Sequence, residues 1–259
     1  MLRSASPVSI AARDPYGMAS FPLVPFSNRI GDATFRWQGQ SVALKRNYPP
    51  ELHAIHGVGF ERTWRVQDRT DNSAVLSYTH SSDGSWPWAF EARQHIALGE
   101  RSLILELSVR NLESQPLPLA FGHHPYFPAN DASLCFEAQA VWLNDDAGLP
   151  SERAAISGGF DLSQPVAVEQ LQLDHCYVGW QGPAQISWRN RPLGLEVTAS
   201  AALSCAVVYA RPDREAFCFE PVPHLNNSLN RPGCKPAIPV IDAGEAFEAV
   251  IRFHAVTRL

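Results

Sequence analysis

Ser102-Leu103-Ile104-Leu105-Glu106-Leu107-Ser108-Val109-Arg110 is the stretch on which the fold turns. Leu103, Leu105, Leu107 and Val109 are apolar, while Glu106, Ser108 and Arg110 are polar, the two-residue period of a strand with one buried face. The alternation returns near the C-terminus, with Phe247, Ala249, Ile251, Phe253 and Ala255 on one side and Glu248, Arg252 and His254 on the other. Further strands are expected over Ala74–Thr79, Phe90–Leu98, Ala184–Trp188, Leu195–Ala199 and Ala206–Ala210, with Arg189–Gly194 connecting a hairpin. The 21 prolines and 16 glycines run from end to end and interrupt almost every window in which a long helix could form. Many short strands with turn residues between them predict an all-β sandwich or barrel. With no linker, composition break or repeat, residues 1–259 are expected to form one domain.

Hydrophobic residues make up 45% of the chain and charged ones 18%, which favours a packed core over disorder. Lys and Arg total 21 against 26 Asp and Glu, so nothing in the charge calls for nucleic acid or an anionic membrane. Five cysteines, an odd and scattered number without a CxxC, suggest neither a zinc ribbon nor a disulfide framework. Free thiols in a reducing, cytoplasmic setting are the expectation. Met1–Asp14 lacks the continuous apolar core of a secretory leader, and no apolar run is long enough to span a bilayer.

The chemistry concentrates in Phe121-Gly122-His123-His124-Pro125-Tyr126-Phe127-Pro128-Ala129, which follows an apolar run, Leu117–Phe121, that reads as a strand. Imidazoles at a rigid strand end are well placed to exchange protons near neutral pH. Phe217-Cys218-Phe219-Glu220-Pro221 offers a carboxylate whose apolar neighbours would raise its proton affinity; its simpler reading is a salt bridge at a strand end. In Pro25-Phe26-Ser27-Asn28-Arg29-Ile30, an amide and a guanidinium could bind vicinal hydroxyls, or the arginine could cap loop carbonyls. His53 and His56 have HxxH spacing without the glutamate of HExxH, so no metal is expected, and His56 beside Gly57 reads as a ligand-contacting loop histidine. Trp86-Pro87-Trp88 could stack on a sugar face or sit in the core. Asp174, inside a mostly apolar run, needs partners in a turn or a cleft. No GxSxG elbow, GxGxxG or GxxxxGK[ST] loop occurs, which argues against serine hydrolysis and nucleotide chemistry. Glycoside hydrolysis could recruit Asp174 and Glu220, but would leave the histidines without a task.

In their order along the chain, PFSNRI (25–30), His56-Gly57 with Trp64, WPWAF (86–90), GHHPYF (122–127), DHCY (174–177), Phe219-Glu220-Pro221 with Asn226-Asn227, and AGE (243–245) resemble the aldose 1-epimerase family. The resemblance implies a large antiparallel β-supersandwich, galactose mutarotase-like, and a cofactor-free isomerase of carbohydrate metabolism that interconverts the α and β anomers of a free hexose or pentose. It makes Glu220 the general base and His124 the general acid, with the imidazole kept cationic by nearby acids. Asn28, Arg29, His56, Tyr126 and Asp174 become sugar-binding positions, while His123 is an extra histidine without a role. Only about two dozen residues precede PFSNRI, fewer than the family usually has, so an exposed sheet edge is expected. A non-catalytic sugar binder and a sugar-phosphate mutarotase using Arg211, Arg214 or Arg231 are the alternatives. The sequence sets neither the preferred aldose nor the oligomeric state.

Overall fold

Alternation of apolar and polar side chains, repeated along short strands, produces two antiparallel sheets that cover each other. The computed structural model describes residues 2–257. A nine-stranded sheet runs in the spatial order Val166–Ala167, Ala132–Cys135, Ala184–Trp188, Leu193–Ala199, Ala246–Thr257, Ser102–Asn111, Phe90–Leu98, Ser73–His80 and Arg65–Arg69. A seven-stranded sheet runs Ser20–Leu23, Gly122–Pro128, Ala216–Val222, Cys205–Ala210, Leu173–Val178, Ala140–Asn144 and Pro150–Ala154. This is the antiparallel supersandwich expected from the resemblance. All five strands listed above form, and the Ser102–Arg110 and Phe247–Ala255 patterns pair in one register, with Phe247 opposite Val109 and Phe253 opposite Leu103. The longest α-helix among the described residues is six residues, Pro7–Ala12.

The alternate residues of both sheets meet in one apolar layer. Phe127 and Phe217 of the seven-stranded sheet pack at 5.4 Å between ring centroids, and Phe127 meets Phe253 of the nine-stranded sheet at 6.3 Å. Trp86 lies wholly inside this layer against Phe26, Phe35 and Trp88, so Trp86 is core and not a sugar platform. A smaller cluster covers the opposite face of the seven-stranded sheet. There Leu23, Cys176, Val178, Cys205, Val207 and Val222 pack under Phe60 and Leu225. This sheet is therefore buried on both faces, the setting that desolvates any polar side chain placed on it.

Two sequence readings are corrected. The run Leu117–Phe121 is a strand only at Leu117–Pro118, and the histidines lie inside the next strand, Gly122–Pro128. A fully buried apolar run carries no period from which its conformation can be read, and Pro125 signals a break. It is tolerated because its strand lies beside the four-residue edge strand Ser20–Leu23, with Pro125 opposite Ser20. That edge is short and contains Pro22, which has no N–H to offer a further strand. Gly122 is required by close approach: a Cβ there would lie 2.9 Å from the Pro221 carbonyl oxygen. Gly122→Ala is expected to cost about 1–3 kcal/mol, read as a lower urea midpoint at unchanged m.

Candidate active site

Register and pleat assemble the site. Tyr126 stands opposite Cys218 and Phe127 opposite Phe217; the same register two places on sets His124 opposite Glu220. Directly opposed side chains approach within a few ångströms, and His124 Nε2 lies 3.2 Å from Glu220 Oε1. Because side chains alternate, His124 and Tyr126 share the cleft face, while Phe127 enters the core. His123 points inward too, to Gln94 of the other sheet at 3.4 Å and to Ser20. His124 is gripped between the rings of Phe21 at 4.5 Å and Tyr126 at 4.6 Å, and His56 meets it edge-on at 5.0 Å.

The loops above supply the remaining groups. Asn28 (φ 56°) and His56 (φ 60°) both occupy the left-handed region, and the His56 N–H donates to the Asn28 carbonyl at 2.8 Å. Non-glycine residues in that conformation persist where surroundings over-determine them. Here Gly57 lets the backbone pass the Val24 carbonyl, which a Cβ would meet at 2.2 Å. His224 accepts from the Ser27 N–H at 3.2 Å and donates Nδ1–H to the Leu225 carbonyl at 2.8 Å, while the Asn227 N–H donates to the Arg29 carbonyl at 2.9 Å. Arg29 then reaches Asp174 Oδ2 at 3.6 Å and Glu51 Oε2 at 3.5 Å.

These groups line one open cavity of about 670 Å³. All seven residues singled out from the sequence, Asn28, Arg29, His56, His124, Tyr126, Asp174 and Glu220, lie on its wall. Arg3, Tyr16, Tyr48 and Tyr209 join them and were not assigned from sequence, nor was Glu51 behind Arg29. Tyr209 had no signal in the sequence: it reaches the wall by standing opposite Asp174 on one side and Cys218 on the other. Arg3 had none: its N–H donates to the Tyr126 carbonyl at 2.8 Å and its guanidinium lies 3.9 Å over the Tyr126 ring, a contact visible only once the chain is folded. Of the arginines considered for a phosphate, only Arg214 reaches the cleft; Arg211 pairs with Asp213, and Arg231 stacks on Trp142.

Burial sets the protonation of the pair. Desolvation, reinforced by Asp174, pushes Glu220 well above the usual carboxylate range. Desolvation, with His123 and Arg3 adding to it, brings His124 down to about 3. Burial therefore opposes the cationic imidazole expected from the sequence. A carboxyl that holds its own proton presents no charge to stabilise an imidazolium 3.2 Å away. Both shifts favour the uncharged forms, a protonated carboxyl beside a neutral imidazole. Glu220 Oε2, His124 Nδ1 and His56 Nδ1 are buried without a hydrogen-bond partner, and unsatisfied buried polar atoms at a cavity wall mark where a polar ligand completes the network.

An antiparallel supersandwich with a buried imidazole–carboxylate pair at the wall of a polar cleft defines a β-sandwich protein equipped for proton transfer to a small polar molecule. The family model for aldose 1-epimerase matches residues 1–254. The chain is 28% identical over 221 residues to the uncharacterized Escherichia coli K12 protein YphB, covering 82% of this chain and 75% of that one. It is 26% identical over 207 residues to the aldose 1-epimerase of Haemophilus influenzae, covering 68% and 59%. A solved structure from Escherichia coli K12 superposes with a TM-score of 0.90 at 25% identity, covering 100% of this chain and 89% of that one. The chain belongs to the aldose 1-epimerase family, whose members act on small sugars.

Proposed function

We propose that this protein, as a single-domain cytoplasmic isomerase, interconverts the α and β anomers of a free aldose by opening and closing the ring. The observation that carries this reading is the 3.2 Å contact between His124 and Glu220 on a cleft wall, with further polar atoms of both left unpartnered. In the reactive form the single proton sits on His124. The Glu220 carboxylate takes the proton of the anomeric hydroxyl while His124 gives its proton to the ring oxygen, and the C1–O5 bond breaks to an aldehyde. The pair is then uncharged, the form that burial favours, so desolvation stabilises the open-chain half of the cycle. After rotation about C1–C2, the hydroxyl on C5 attacks the other face of C1. His124 recovers that proton, Glu220 returns its own to the new anomeric oxygen, and the starting state is restored.

Arg29, steadied by Asp174 and Glu51, and His56 are placed to hold hydroxyls and steady charge on the ring oxygen. Tyr126 and Asn28 supply further polar contacts from the same wall. The cleft favours a neutral sugar over a sugar phosphate. Its wall carries Arg3, Arg29 and Arg214 against Asp174, Asp213, Glu215 and Glu220, a balance without the cationic excess a phosphate needs. The test is exchange between anomers of glucose, galactose, xylose and arabinose, followed by saturation-transfer NMR. Enzyme-dependent exchange for at least one is expected. Sugar binding by calorimetry without exchange for any would establish a binder in place of an isomerase.

A further inference from the structure

Cys218 is a buried nucleophilic group that the proposed proton transfers do not use. It lies on the cleft-facing side of its strand, two residues from Glu220 and opposite Tyr126, and is fully buried. One ligand atom each from His124, Cys218 and Glu220 falls within 4.8 Å of the others. The three donors are an imidazole nitrogen, a thiol sulfur and a carboxylate oxygen, the mixed set that zinc and its neighbours in the d-block accept in tetrahedral sites with one position open. We propose that these residues form a binding site for a borderline-soft divalent cation, Zn²⁺ or Co²⁺, that occupies the acid–base pair and blocks sugar turnover.

The geometry supports a site built by the sheet and not by chance proximity. Cross-strand register fixes His124 and Glu220 side by side, and the two-residue period brings Cys218 to the same face as Glu220. His124 Nε2 and Glu220 Oε1, 3.2 Å apart, already stand near the separation of about 3.3–3.5 Å required of two ligands about 2.1 Å from one tetrahedral ion. The other polar atoms of the two side chains, His124 Nδ1 and Glu220 Oε2, are buried without a partner, so no further hydrogen bond from those atoms ties either side chain down. Binding expels the thiol proton of Cys218 and the carboxyl proton of Glu220 to solvent. The resulting thiolate and carboxylate balance the charge of the ion, with the neutral imidazole as third ligand and the cleft side open to water.

The cation site involves residues of the proposed reaction, so its test reads the metal and not the sugar. Co²⁺ is titrated into the full chain, and the thiolate-to-cobalt charge-transfer band is followed by absorption, with circular dichroism to verify folding. A band saturating at one equivalent is expected. It should vanish in Cys218→Ser and in Cys218→Ala, and the apparent Kd should rise at least about tenfold in Glu220→Gln. No band with the wild-type chain overturns the proposal, as does a band that survives in either folded Cys218 variant, because the other thiols would then be the ligands. If anomer exchange is detected, Zn²⁺ should suppress it and a chelator should restore it; if exchange is absent, the cobalt spectrum still decides the metal site.

Discussion

Glu220→Gln is expected to lower kcat for anomer exchange by about 10³-fold, roughly 4 kcal/mol of barrier, while leaving KM within a few-fold of wild type. The amide keeps the volume and one acceptor of the carboxyl but cannot take the proton from the anomeric hydroxyl and return it after ring closure. His124→Ala should lose a comparable factor, and the double variant little more than either, because the two groups act on one proton cycle. The variant also separates chemistry from packing. Glu220 is buried with a raised proton affinity, so its ionised form is disfavoured in the folded state. That contribution to stability is present below the ordinary carboxylate pKa and lost as pH rises through the folded value. Glu220→Gln should therefore melt higher than wild type at pH 8 although it is inactive. Wild-type rates in Glu220→Gln on every exchanging sugar would refute the assignment.

Acid should unfold this protein earlier than its carboxylates alone would suggest. Burial lowers His123 to about 3 and His224 to about 4, and holds His56 well below its ordinary value. A histidine with a depressed folded pKa binds fewer protons in the native chain than in the unfolded one. Its contribution to stability is complete above about 6.5 and declines as pH falls through that value toward the folded one. At about 1.4 kcal/mol per pH unit, His123 and His224 together account for several kcal/mol, with Glu220 offsetting part of it from the opposite direction. That is a large share of a typical total of about 5–15 kcal/mol. Urea unfolding at pH 7.5 and 4.5 should show this loss. Substitution of His123 by Gln, which keeps a partner for Gln94, should flatten the profile below pH 6. Equal midpoints at the two pH values would exclude the buried-histidine account.

The link between burial and proton affinity also explains why the protonation of His124 in the folded chain differs from the one expected from sequence. Apolar neighbours of Glu220 in sequence, Phe217, Cys218 and Phe219, correctly signal a raised carboxyl. Nothing local signals that the charge of Arg3 adds to the desolvation of His124, or that Phe21 packs on its ring. The proton's resting place is set by the difference between two desolvation costs, and that difference exists only after the strands have paired.

The amino-acid order alone determined the all-β class, because a two-residue period between Ser102 and Arg110, or Phe247 and Ala255, buries one face only as a strand. The family resemblance carried by its short motifs marked the seven residues that line the cleft. Tertiary structure alone set His124 3.2 Å from Glu220 while His123 turns to Gln94, and made Trp86 core. It alone brought Arg3, Tyr16 and Tyr209 to the cleft wall. The physical reason is that strand neighbours are chosen by burying two faces of one sheet at once, a condition no single segment of the chain contains.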